Sequence, residues 1–64
     1  MIPKITKENL GEILLKHRFE NSKTQLEISK KTGVSLPTII GIEAGRITPQ
    51  TMTIYKFRKY FKQI

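Results

Sequence analysis

The sequence predicts an all-α domain of four helices, five at most, and three observations carry that expectation. Apolar residues recur at spacings of three and four rather than alternating. Residues that start and stop helices punctuate the chain at short intervals. With 64 residues and no Cys, the chain buries only about 60% of its unfolded surface. It has no disulfide or thiolate–metal site to help, which favours short helices with local contacts. Residues 1–64 therefore read as one domain, without repeats, low-complexity segments or internal linkers.

Residues 1–5 contain Pro3 and Lys4 and precede any sustained periodicity, so they read as an irregular arm that orders on binding. The first helix is expected to start near Asn9, whose side chain can cap while Glu12 sits three residues on, and to end at Phe19 or Glu20. Leu10, Ile13, Leu14 and His17 are spaced to share a face. Gly11 costs this helix about 1 kcal/mol relative to Ala, and only close packing would explain it. Asn21 and Ser22 break the period.

Thr24 and Glu27 form the firmest start in the chain, a capping box in which the hydroxyl accepts from the Glu27 amide and the carboxylate reaches back to the Thr24 amide. Leu26 and Ile28 cannot share a face, and Ile28 is the more central if the helix stops at Gly33. Gly33 suits the left-handed position after a helix, with Val34 folding back onto the core. Ser35 then caps a helix over residues 36–43 that tolerates Pro37 in its first turn. Ile39 and Ile42 continue the buried track, while Leu36 and Ile40 form a second apolar track turned away from it. Ala44 and Gly45 end that helix. Thr48 and Pro49 offer a cap and a first helical residue for the last helix, whose stripe is Ile54, Phe57, Phe61 and Ile64.

Twelve Lys and Arg against five acids give a net charge of +7, and no acid follows Glu43. Arg46, Lys56, Arg58, Lys59 and Lys62 stand unopposed, a potential suited to phosphate or anionic lipid, with plain solubility as the bland alternative. No apolar run approaches the ~20 residues of a membrane span. Residues 1–7 lack the apolar centre of a secretory signal. A cytoplasmic chain without membrane attachment is expected. Phe57, Tyr60 and Phe61 interleaved with Lys and Arg would also suit a membrane surface, but without them the domain has too little apolar surface to fold. Catalysis, a metal and a cofactor are not expected. His17 is the only imidazole, on an apolar face, and the five glutamates are scattered.

Thr24-Gln25, Gly33-Val34-Ser35, Thr38-Ile39, Ile42-Glu43, Gly45-Arg46 and Pro49 together resemble the phage-repressor and Cro-like (XRE-type) helix-turn-helix family. The match is without gaps and extends from Leu10-Gly11-Glu12 to Phe61, about four fifths of the chain. The resemblance implies a sequence-specific, DNA-binding transcriptional regulator, a repressor, that places residues 36–43 in the major groove of double-stranded DNA as a homodimer. Carried over residue by residue, base reading falls to Ser35, Leu36, Pro37, Thr38, Ile40 and Gly41. The resemblance gives backbone contact to Gln25 at a helix amino terminus and to Arg46, and Thr24, Lys4 and Lys7 are expected to add to it. The resemblance also implies an ion pair between Arg18 and Glu43.

The chain departs from the family at His17 and Lys23, where leucines are usual, with Phe19 expected to compensate for one of them. Ala44 replaces an asparagine. The chain ends at Ile64, before the fifth helix that many members use for dimer contacts, so the resemblance does not fix how two copies pair. The reading positions themselves are unusual, since Leu36, Pro37, Ile40 and Gly41 carry no side-chain donor or acceptor. Specificity would then rest on thymine methyls, backbone groups, the Lys4 and Lys7 arm or DNA shape. A partner protein docking on the apolar Leu36 and Ile40 face is the alternative function.

Overall fold

A computed structural model describes residues 4–63, and four helices account for most of them: α1 (Leu10–Glu20), α2 (Gln25–Thr32), α3 (Leu36–Glu43) and α4 (Thr51–Gln63). α3 packs against both α1 and α2, and α4 closes the far side of the core against α2. Met1, Ile2 and Pro3 of the expected arm, and Ile64 of the expected stripe, lie outside the described residues.

Asn9 does precede α1, but its side chain makes no cap there. Its Oδ1 accepts from the Thr6 amide at 2.7 Å, and the Thr6 hydroxyl accepts from the Asn9 amide at 3.2 Å. The reciprocal pair is a capping box one turn earlier, with Leu10 N donating to Thr6 O at 3.1 Å as its first i to i−4 bond. Asn stands in it where Glu or Gln is usual, so the spacing alone does not announce it. The end of the arm is also fixed. Ile5 is buried, and its carbonyl accepts from the Arg58 guanidinium at 2.9 Å.

α1 buries Leu10 and Leu14 completely. Gly11 between them faces the backbone of α3: a Cβ there would stand 2.6 Å from the Ile42 carbonyl oxygen, well inside contact distance. Glycine lets the two helices approach, which accounts for its presence despite the propensity cost. Phe19 is 74% exposed and compensates for nothing in the core. His17 itself fills the place of the usual leucine, edge-on to Tyr60 and Phe61 with ring centroids 5.4 and 5.0 Å away.

α2 has both halves of its capping box, the Glu27 amide to Thr24 Oγ1 at 3.1 Å and the Thr24 amide to Glu27 Oε1 at 3.0 Å. Ile28 is fully buried and Leu26 half exposed, which decides between them. Gly33 takes φ +76° and closes the helix with its N–H on Ser29 O. The Ser29 hydroxyl donates to Val34 O at 2.6 Å and pins the turn. α3 starts at the Ser35 cap and buries Ile39 and Ile42. Two consecutive amides, of Arg46 and Ile47, then donate to Gly41 O at 2.8 and 3.2 Å, folding the chain back over the helix.

α4 begins at Thr51, two residues after the expected Pro49, with Ile54 N donating to Gln50 O at 3.0 Å. Pro49 is buried and lines the groove beside Gly11 and Ile42, so it packs the connection instead of opening the helix. Ile54, Phe57 and Phe61 enter the core, and so does Tyr60, which the expected stripe omits. Each fully buried aliphatic or aromatic side chain contributes about 1.5–3 kcal/mol before chain entropy is charged against it.

Candidate nucleic-acid interface

The α2–turn–α3 unit is held to α1 through one carboxylate. Glu43, the last residue of α3, accepts from Arg18 Nε at 2.7 Å and from the second guanidinium nitrogen, Nη2, at 2.8 Å, a bidentate pair. The remaining guanidinium nitrogen donates to Lys23 O at 3.1 Å, in the connection before α2. Gln25 Nε2 donates to the same carboxylate at 2.9 Å. Side-chain exposures of 15% for Arg18 and 5% for Glu43 put the pair largely out of water. The Glu43 hydrogen bond raises the Arg18 pKa, against desolvation, so the guanidinium stays charged where it is partly buried. One acid thus joins α1, the start of α2 and the end of α3.

Thr24 is exposed and Gln25 half-buried at the start of α2. The capping box occupies the Thr24 hydroxyl and the Glu27 amide, whereas the amides of Gln25 and Leu26 come too early in the helix to find an i−4 carbonyl. Two N–H groups at a positive helix end are what a phosphate oxygen would accept from. Gln25 keeps a side-chain carbonyl and its second amide hydrogen beyond the bond to Glu43.

On α3, Ser35, Pro37 and Ile40 are exposed, and Leu36 and Thr38 are partly so. The Ser35 and Thr38 oxygens lie 2.7 Å apart, and Ser35 Oγ also accepts from the Thr38 amide at 3.4 Å. One hydroxyl hydrogen is spent between them, leaving the pair a single outward donor. Gly41 does not join this face. It is buried, and a Cβ there would collide with the Ile47 side chain. Ile47, itself 42% exposed, occupies the space above Gly41. The only hint in the sequence was a glycine where a surface side chain would serve.

Arg46 is exposed directly beside Ile47. Lys4 and Lys7 are exposed as well, and both line a cleft of about 360 Å³ with Thr51 and Arg58. Lys7 also borders a second cleft of about 390 Å³ against Gly45, Ile47 and Thr48, where Glu8, Glu12 and Glu43 offset its charge. Lys56, Arg58, Lys59 and Lys62 are exposed along α4. No group of three or more His, Cys, Asp or Glu residues that could hold a metal occurs among the described residues. No described helix is long and apolar enough to cross a membrane.

His17 connects α1 to α4 behind this surface. Its Nε2 is 2.8 Å from the Tyr60 hydroxyl and its Nδ1 is 3.2 Å from Asn21 Nδ2, which also donates to His17 O at 2.9 Å. With the amide so pinned, Nδ1 accepts and Nε2 carries the hydrogen. Burial first, then Lys23, lowers the His17 pKa, and Glu20 opposes them. Burial raises that of Tyr60, with Glu27 adding to the effect.

Residues 14–63 match the Helix-turn-helix family model. Over 45 residues the chain is 40% identical to an uncharacterised HTH-type transcriptional regulator of Methanocaldococcus jannaschii, covering 70% of this chain and 68% of that protein. No solved structure matches.

Proposed function

The chain belongs to the helix-turn-helix family of DNA-binding transcriptional regulators, and from that premise we propose that it is a sequence-specific repressor that lays α3 in the major groove. It works in the cytoplasm, as a homodimer on double-stranded DNA. The observation that carries the reading is the arrangement of the α2–α3 pair. Glu43 and Arg18 lock it from behind, while the first-turn amides of α2 and the outer side of α3 stay open. In this reading Thr24, Gln25, Arg46, Lys4 and Lys7 hold phosphates, and Ser35, Leu36, Pro37, Thr38 and Ile40 face base edges. Gly41, buried under Ile47, acts through the shape of that face.

A second reading, a partner protein on the Leu36 and Ile40 face, rests on Ile40, 37% exposed, with Leu36 partly exposed one turn away. Fluorescence anisotropy with duplex DNA over a salt series separates the two. Three cationic contacts give a log–log slope of about −3 per protomer, and Arg46→Ala reduces its magnitude by about 1 on every duplex alike. Absence of binding at low salt would sink the DNA reading and leave the protein partner.

A further inference from the structure

On the reading that α3 enters the major groove, we propose that this chain recognises pyrimidine C5-methyl groups, and so accepts 5-methylcytosine as well as thymine where Leu36 and Ile40 meet the bases. Three features of the surface carry this. First, three of the reading positions on α3 are apolar and reach the surface. Leu36 and Ile40 are one turn apart, and Pro37 stands exposed beside them.

Second, the face cannot tell a base donor from a base acceptor. Thymine and cytosine differ in the groove by an O4 acceptor against an N4 donor, and the C5 position carries a methyl in thymine. Leu36, Pro37 and Ile40 offer nothing to either polar edge. The Ser35 and Thr38 hydroxyls, bonded to each other at 2.7 Å, can donate or accept and so suit both. What remains for α3 to distinguish is the methyl itself, which 5-methylcytosine places at the same carbon.

Third, the charge around the face selects an anionic occupant. From residue 24 onward the only acids are Glu27 and Glu43. Glu27 is committed to the Thr24 amide and Glu43 to Arg18 and Gln25. Neither acid of α2 and α3 is therefore left uncommitted, while Arg46 and the first-turn amides of α2 offer positive charge for phosphates. Apolar side chains on an element flanked by such charge fit methyl groups recessed between phosphate backbones.

The test uses the full chain and a duplex selected by it from a random-core library, prepared in four forms. These are the selected sequence, the same with uracil for every thymine, and versions with cytosine or 5-methylcytosine replacing thymine, guanine opposite, at the most protected positions. The uracil form is expected to bind about fourfold more weakly per contacted methyl, from the loss of one buried methyl. The cytosine form should show a similar loss and the 5-methylcytosine form should recover it. Leu36→Ala with Ile40→Ala should erase the thymine–uracil difference while the salt slope stays. Equal affinity for thymine and uracil duplexes, both salt-dependent, would overturn methyl recognition and leave the DNA reading standing. Binding to no duplex would overturn both.

Discussion

The inner side of α3 presents Ile39, fully buried, Ile42, 4% exposed, and Glu43, whose carboxylate takes three hydrogen bonds from two other segments. The outer side presents Leu36, Pro37 and Ile40, with two hydroxyls that mostly bond each other. The inner side has its polar groups satisfied and its apolar groups packed, so it fixes where the helix lies. The outer side is left with shape and methyl groups. The packed and exposed sides are thus separable on one eight-residue helix, and changes on the two sides should have effects of very different size.

The largest effect is expected at Glu43. Glu43→Ala leaves the partly buried Arg18 guanidinium with only the Lys23 carbonyl and removes the partner of Gln25. Breaking such a pair from one side costs about 3–5 kcal/mol, a large share of the roughly 3–10 kcal/mol expected for a domain this small. Chemical denaturation should show it. Arg18→Met in the same chain should restore part of the loss, because the uncompensated charge is then gone. A loss below about 1 kcal/mol would class the pair with exposed surface ion pairs and remove its role in orienting α3.

Gly11→Ala comes next. Ala favours a helix by about 1 kcal/mol, but the new methyl meets the Ile42 carbonyl, which is backbone and cannot rotate aside. Overpacking of this kind costs about 1–3 kcal/mol, so a net loss of up to about 2 kcal/mol is expected in the same denaturation experiment. A gain in stability would mean that α1 and α3 can slide apart freely, and the inner side would then not be rigid.

How far the sequence disclosed these two sides depends on the range of the interactions. Thr24 with Glu27, Gly33 and the Ser35 cap are local devices acting within three or four residues, and each is legible from spacing. Gly11 was legible as a cost and not as a contact, since its reason is the Ile42 carbonyl. Arg18 and Glu43 stand 25 positions apart, and only the family resemblance named them. Asn9 is not legible from the usual pattern because its capping box with Thr6 carries Asn where Glu or Gln is expected, whereas the roles of Ile5, Pro49 and Tyr60 are set by distant partners no local rule supplies: Arg58, the groove at Gly11 and His17. On the outer side, exposure of Ser35, Pro37 and Ile40 followed from helical periodicity, but the covering of Gly41 by Ile47 depends on how the chain returns after Gly45.

A smaller effect is expected from pH, behind the inner side. The His17 pKa is lowered below its ordinary 6.5, so the unfolded chain binds the proton more readily than the folded one. The stabilisation is complete above about pH 6.5 and is lost as pH falls through that value toward the lowered folded pKa. Protonated Nδ1 would face the Asn21 amide donor, held by its second bond to His17 O. The melting temperature should therefore be lower at pH 5.5 than at 7.5, and His17→Leu should abolish that difference. An equal dependence in the variant would trace it to other groups.

The smallest effect on stability belongs to Leu36→Ala with Ile40→Ala. Complete burial would make each truncation cost about 2–5 kcal/mol. Ile40 is 37% exposed and Leu36 only partly buried, and Ala is the better helix former at position 40 by a few tenths of a kcal/mol. A combined loss of about 1 kcal/mol or less is expected, with the helical circular dichroism unchanged. A combined loss near that of Glu43→Ala would put both residues in the core and abolish the division of α3 into a packed side and an exposed side. A small loss would leave the outer side free to vary without endangering the fold, because the stability of α3 is carried by residues on its inner side.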